Sequence, residues 1–188
     1  QKYFGPLQPE QLATVKPQVE VAQRGKRTLE LKAPAELPYL MMGWKVPVVK
    51  TAVEEWEPYA LDVLAGILDG GASSRFSREL IREQQVAGTP AQGKSVEDVK
   101  HAVLNQLDKI KAELVTEAEL QRVKTQVIAS SVYQLDSVFY QAMQLGMLET
   151  VGLDWRLVDS YPDKISAITA EQVQQVAQKY FIDEGLTV

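Results

Sequence analysis

From Pro47 almost to the end of the chain one pattern recurs: a capping residue, an acid or amide three positions on, then apolar side chains stepping by three and four. Ser95 with Asp98, Thr116 with Glu119 and Thr169 with Gln172 are the clearest instances. Each marks a helix N-terminus, whose first N–H groups have no partner within the helix and need acceptors. Behind these caps, Val96, Val99, Val103, Leu107, Ile110 and Leu114, then Leu120, Val123 and Val127, then Val173, Val176 and Tyr180 each define one apolar helix face. Pro58 occupies the tolerated first turn of an earlier helix carrying Ala60, Val63, Leu64, Ile67 and Leu68, which Gly70-Gly71 stop. Ser73-Ser74 cap a charged helix over 75–86 with Phe76, Leu80 and Ile81 inward. A further helix bears Phe139, Tyr140, Met143, Met147 and Leu148, and Asp154 caps a short turn ending at Pro162.

Period-two alternation is confined to 28–32 and 39–49, the latter with Leu40, Met42, Trp44 and Val46 on one face. Met41 suggests that the opposite face is partly covered too. Residues 185–188 read as the start of another strand. The balance is two strands and a stub against six or seven helices, and so small a sheet covers a helix layer poorly. Strands are therefore expected to be missing near the Pro/Gly turn at 86–90. Gly5-Pro6 close an aromatic helix end, and 8–24, with Pro9 and Pro17, read as an extended linker. The expected division is 1–25 as the end of a preceding domain plus linker, and 26–188 as the domain proper.

Composition removes whole classes of function. The 188 residues include no cysteine and one histidine, with 20 basic and 25 acidic residues for a net charge of -5. A disulfide scaffold, a cysteine nucleophile and cysteine-ligated zinc are excluded. The lone His101 excludes any two-histidine metal site within the chain. No basic stripe offers a footprint for nucleic acid, and no apolar run approaches the roughly 18 residues of a membrane span. His101 reads as solvated, since the apolar stripe of its helix runs through Val99 and Val103. Glu54, Glu55 and Glu57 read as a complement to a helix N-terminus rather than a metal site. Arg75, Arg78 and Arg82 with Glu79 and Glu83 read as a solvated, paired face. Gly70-Gly71 lacks the following Lys-Ser/Thr or third spaced glycine of a phosphate loop. Met41, Met42, Met143 and Met147 with Phe139 and Tyr140 read as core or an inter-domain face rather than a cofactor pocket.

The order of these motifs carries a resemblance. The run Glu57-Pro58-Tyr59-Ala60-Leu61-Asp62-Val63-Leu64, then Gly70-Gly71-Ala72-Ser73-Ser74-Arg75-Phe76, then Glu79-Leu80-Ile81-Arg82-Glu83 resembles the C-terminal, non-zinc-binding domain of the pitrilysin/insulinase-like zinc peptidase family. Gly43-Trp44-Lys45-Val46-Pro47 fills the strand position that precedes the first helix there. The helix starts at Thr116-Glu117-Ala118-Glu119-Leu120 and Ile168-Thr169-Ala170-Glu171-Gln172-Val173 also fit.

The resemblance implies an α+β two-layer sandwich, a mixed or antiparallel sheet covered on one face by helices, of the LuxS/processing-peptidase-like metallohydrolase fold. It implies a partner, a homologous zinc-binding domain or subunit carrying the inverted His-x-x-Glu-His motif, which closes with this domain around a peptide substrate. Zinc belongs to that N-terminal domain or partner subunit, with no cofactor, catalytic residue or metal ligand in this chain. Arg82 matches the family's substrate-binding arginine. The tyrosine that accompanies it has no match, because the corresponding position is Thr89, and the family's hairpin of substrate-lining strands is expected to be lacking near 87–90. The implied function is that of a non-catalytic substrate-chamber domain of a zinc metallopeptidase that cleaves peptides. The alternative is an inactive structural or partner subunit that assembles with an active peptidase or a larger complex. Size and simplicity suggest a bacterial protein, with the periplasm favoured over the cytoplasm.

Overall fold

The computed structural model describes residues 6, 21–32, 34, 38–83 and 95–188, with 82 and 83 described in backbone only. Helix α1 (Glu57–Asp69) is the element the others gather on. Its first turn accepts Pro58 because the missing N–H would have had no helical partner there. Its side chains at Ala60, Val63, Leu64 and Ile67 are entirely removed from water. Around it stand α2 (Val96–Ala112), α3 (Glu117–Gln134), α5 (Leu157–Ala167) and α6 (Ala170–Tyr180), while α4 (Val138–Thr150) lies to one side. α1 packs on α3, α5 and α6, and α2 packs on α6 and on a π-helical segment, Phe76–Glu83. The shared core joins Leu107 and Ile110 of α2, Leu120 and Val123 of α3, Ile165 of α5, and Val173 and Val176 of α6. Each such side chain contributes about 1.5–3 kcal/mol by leaving water, so the helix cluster holds itself together without a large sheet.

All three capping hydroxyl bonds form, and two of the three pairs close as reciprocal boxes. Ser95 and Asp98 make a reciprocal box at the start of α2, as do Thr169 and Gln172 at α6. At α3 the Thr116 hydroxyl accepts from the Glu119 N–H, but the Glu119 carboxylate turns away to a different partner. α2 ends at Ala112 because Glu113 is extended, which leaves Leu114 half exposed and buries Val115 instead. α5 overrides the expected stop at Pro162 and continues to Ala167. Packing accounts for this: the fully buried Ile165 lies beyond the proline, and such tertiary burial outweighs one lost helical hydrogen bond.

The sheet is small. β1 (Gly43–Trp44) pairs antiparallel with β2 (Leu186–Thr187), Gly43 opposite Thr187 and Trp44 opposite Leu186. On the other side of β2, Arg27 forms a parallel bridge with Thr187, and the Leu29 N–H donates to the Val188 carbonyl at 2.9 Å. Among the described residues, the alternating segments at 28–32 and 39–49 meet β2 and Val188 through Leu29, Gly43 and Trp44. Leu40, Met42 and Trp44 do share the sheltered face. Met41, expected to be partly covered, is 71% exposed. Trp44 fixes the sheet to the helices, its ring edge-on to Phe181 at 5.0 Å and its Nε1 donating to the Ile182 carbonyl at 3.2 Å. The fold is thus mostly helical with a two-stranded antiparallel sheet among the described residues. The missing hairpin expected near 87–90, and the helix end and most of the linker expected over 1–20, lie outside the described residues.

Glu54, Glu55 and Glu57 do not act together at the start of α1. The Glu57 carboxylate is buried and accepts from Lys179 Nζ, from the Tyr180 hydroxyl at 2.8 Å and from the Val53 N–H at 3.2 Å. Burial pushes its pKa up, but the Lys179 and Tyr180 hydrogen bonds outweigh it and hold the carboxyl below its usual range. Glu55 reaches the Lys164 ammonium on α5 instead. The acidic cluster is a pair of ties from the start of α1 to α6 and α5.

Midway along α1, a Cβ built on Gly66 would lie 2.7 Å from Val123 Cγ1 of α3. Glycine inside a helix costs about 1 kcal/mol relative to alanine, and here it permits the close approach of two buried helices. Gly66→Ala is therefore expected to lower stability by about 1–3 kcal/mol in urea unfolding, against the gain that helix propensity alone predicts. A more stable variant would show that α1 and α3 have room to part.

Candidate functional site

The motif that carries the resemblance is built by its backbone. The Gly70 N–H donates to the Gly66 carbonyl at 2.8 Å and closes α1, as expected of a helix stop. Gly71 then takes φ 107°, a left-handed conformation that side chains disfavour. The Ser74 N–H returns to the Gly71 carbonyl at 3.0 Å, and the Ser74 hydroxyl accepts from the Ser77 N–H at 3.3 Å, capping the next segment. That segment, Phe76–Glu83, is wound as a π-helix rather than the expected α-helix. The spacing of Phe76, Leu80 and Ile81 suits either winding, so periodicity could not distinguish them. Leu80 is buried as expected, but Ile81 is half exposed.

The charges of this segment are mostly ties to neighbouring helices, not a solvated face. Arg75 grips Glu119 with two parallel bonds, Nε to Oε1 at 3.1 Å and Nη2 to Oε2 at 2.7 Å, with both side chains largely buried. The hydrogen bonds from Arg75 explain why Glu119 leaves its own cap half made. Glu79 accepts from Lys109 Nζ and from Gln106 Nε2, both at 2.7 Å, and the Lys109 bond leads in lowering its pKa. Arg122 Nη1 donates to the Ser73 carbonyl at 3.1 Å and holds the turn against α3. Among the described side chains of the segment, Arg78 behaves as expected, an exposed partner of Glu79 at 3.4 Å. Arg82 is placed in the last turn of the π-helical segment by its backbone.

His101 is 67% exposed in its side chain, 3.4 Å from Glu97, on the solvated face of α2. Among the described residues no three His, Asp or Glu side chains converge on a point where a metal could sit. With one histidine in the sequence and no such convergence among the described residues, these donors do not make a two-histidine zinc site.

One concavity among the described residues was not singled out by any sequence motif. α4 stands off from α1, α3 and α5 and leaves a groove of about 670 Å³ between them. The residues read as core or inter-domain face line it or lie beside it: Tyr140, Met143 and Met147 face the groove, and none of α4 is buried. Phe139 is 78% and Met147 61% exposed, so the core reading of this helix is corrected. Asp62 is the one charged side chain of the lining, on α1 between Tyr59 and Gly66. It accepts from the Tyr161 hydroxyl of α5 at 3.1 Å. An acid within an otherwise apolar stripe was the available signal for this site.

Enclosure by the groove walls raises the Asp62 pKa above its usual value of 3.8, while the Tyr161 hydrogen bond opposes the rise. Burial and the neighbouring carboxylate raise the Tyr161 hydroxyl in turn. A carboxyl with a raised folded-state pKa adds stability below its unfolded pKa, and that contribution is lost as pH rises through the folded value. Asp62→Asn is therefore expected to cost no stability at pH 7. Tyr161→Phe is expected to move the Asp62 carboxyl, followed by NMR titration, further up; a downward move would contradict the assignment.

Residues 1–92 match the family described as Peptidase M16 inactive domain. Comparison with curated proteins finds no match. Among solved structures the chain is similar to a protease from Helicobacter pylori, with a TM-score of 0.87 and 23% identity over 99% of this chain and 49% of the other. The chain thus spans about half the length of that protease. It is also similar to the inactive peptidase domain of a protein described as a zinc protease from Bordetella parapertussis, at TM-score 0.67 and 17% identity, over 78% of this chain and 84% of that one. A protein of like description from Bordetella pertussis Tohama I gives TM-score 0.63 and 18% identity, over 78% and 88%. At these identities the structures speak for the fold alone.

Proposed function

We propose that this chain is the non-catalytic substrate-chamber domain of a zinc metallopeptidase that cleaves peptides. The observation that carries the reading is the match of its first 92 residues to an inactive peptidase domain. In this reading residues 1–25 end a preceding domain and 26–188 form the chamber domain. The small sheet is one corner of a larger mixed or antiparallel sheet, covered on one face by the helices around α1. A strand edge of that sheet pairs with the backbone of an extended peptide, the general mode by which sheets capture strands. Arg82 binds a substrate carbonyl or carboxylate. The turn anchored by Arg75 and Arg122 fixes where the segment bearing Arg82 starts. Zinc is held by a homologous N-terminal domain or partner subunit.

Two measurements test this. Calorimetric titration of zinc into the folded chain is expected to show no tight one-to-one site, and micromolar or better affinity would contradict the proposal. In the assembled peptidase, Arg82→Ala is expected to lower kcat/KM for peptide cleavage by about tenfold, equivalent to about 1.4 kcal/mol, with zinc content unchanged. Unaltered kinetics would remove Arg82 from the site.

A further inference from the structure

We propose that the groove between α1, α3 and α4 is the docking site for an amphipathic helix of a partner polypeptide, apolar on one face and carrying a lysine or arginine that meets Asp62. The proposal stands on the groove itself and does not depend on the peptidase reading.

Three helices present the same register to the gap. α1 offers Tyr59, Asp62 and Gly66, α3 offers Val127, Ser130 and Gln134, and α4 offers Tyr140, Met143 and Met147. Each set spans positions i, i+3 and i+7, which is how a helix lines a neighbouring rod. From Pro58 to Gly70, both in the lining, α1 runs about 18 Å at 1.5 Å per residue, the length of a helix of about twelve residues.

The chemistry of the walls selects the occupant. The lining is apolar apart from small or neutral polar groups and Asp62, whose partner is a neutral hydroxyl, with no described lysine or arginine paired to it. Asp62 is open to solvent in the free chain, and an occupant that excludes that water strengthens the attraction of any cation it delivers there. Beyond the lining, Tyr133, Val138 and Phe139 on α3 and α4 are further exposed apolar side chains. A small organic cation would leave that surface in water, whereas a helix lying along α4 covers it.

The probe is a fluorescein-labelled 18-residue helical peptide with leucines along one face and a single lysine in the middle of that face, with a twin bearing glutamine instead. Anisotropy with the full chain is expected to show saturable binding of the lysine peptide and about tenfold weaker binding of the twin. Asp62→Asn is expected to bind both peptides equally. Met143→Asp, at an exposed position whose fold is checked by circular dichroism, is expected to abolish binding. Lack of saturable binding, equal binding of both peptides to the unaltered chain, or full binding by Met143→Asp would overturn the proposal. So would sedimentation showing that the chain dimerises and that Met143→Asp makes it monomeric, since the occupant would then be a second copy.

Discussion

The close contact of α1 with α3 sets the position of nearly everything else. Because Gly66 has no side chain, Val123 comes within reach of the α1 backbone, and Val63, Leu64 and Ile67 are sealed from water on the faces around that contact. α1 is then fixed at its start as well, where Glu57 is tied to Lys179 and Tyr180 of α6. At its end the Gly70-Gly71 reversal hands the chain to the π-helical segment. Three elements of the candidate machinery, the groove, the turn and the segment bearing Arg82, are consequently measured from one helix.

Charge in this domain mostly joins helices. Arg75 and Glu119, Glu79 with Lys109 and Gln106, and Glu57 with Lys179 each link elements far apart in sequence. Exposed pairs of this kind contribute about 0–1 kcal/mol, but the buried Arg75–Glu119 fork and the buried Glu57 carboxylate are costly to leave with one partner removed. They specify which helix meets which. The Gly-Gly-Ala-Ser-Ser-Arg run that carries the family resemblance is, in its visible contacts, a structural joint.

The helical part of the fold was legible because caps and apolar spacing are local. Ser95, Thr116 and Thr169 each begin a helix, and the α1 face from Ala60 to Leu68 is buried as its spacing requires. What was not legible depended on partners distant in sequence. Pro162 signals a stop that the burial of Ile165 overrides. Arg75 has the spacing of a solvated residue until Glu119 is brought beside it. α4 has the composition of a core helix, and nothing within its own sequence says that its neighbours stand too far off to bury it.

Residues 1–92 match an inactive peptidase domain, and the proposed role needs a zinc-binding counterpart. The most direct measurement is reconstitution: peptide cleavage by this chain, by its zinc-binding counterpart, and by the two together, each with and without chelator. The account predicts cleavage only when both are present and its loss with chelator. Chelator-resistant cleavage by this chain alone, or full activity of the counterpart without it, would contradict the account.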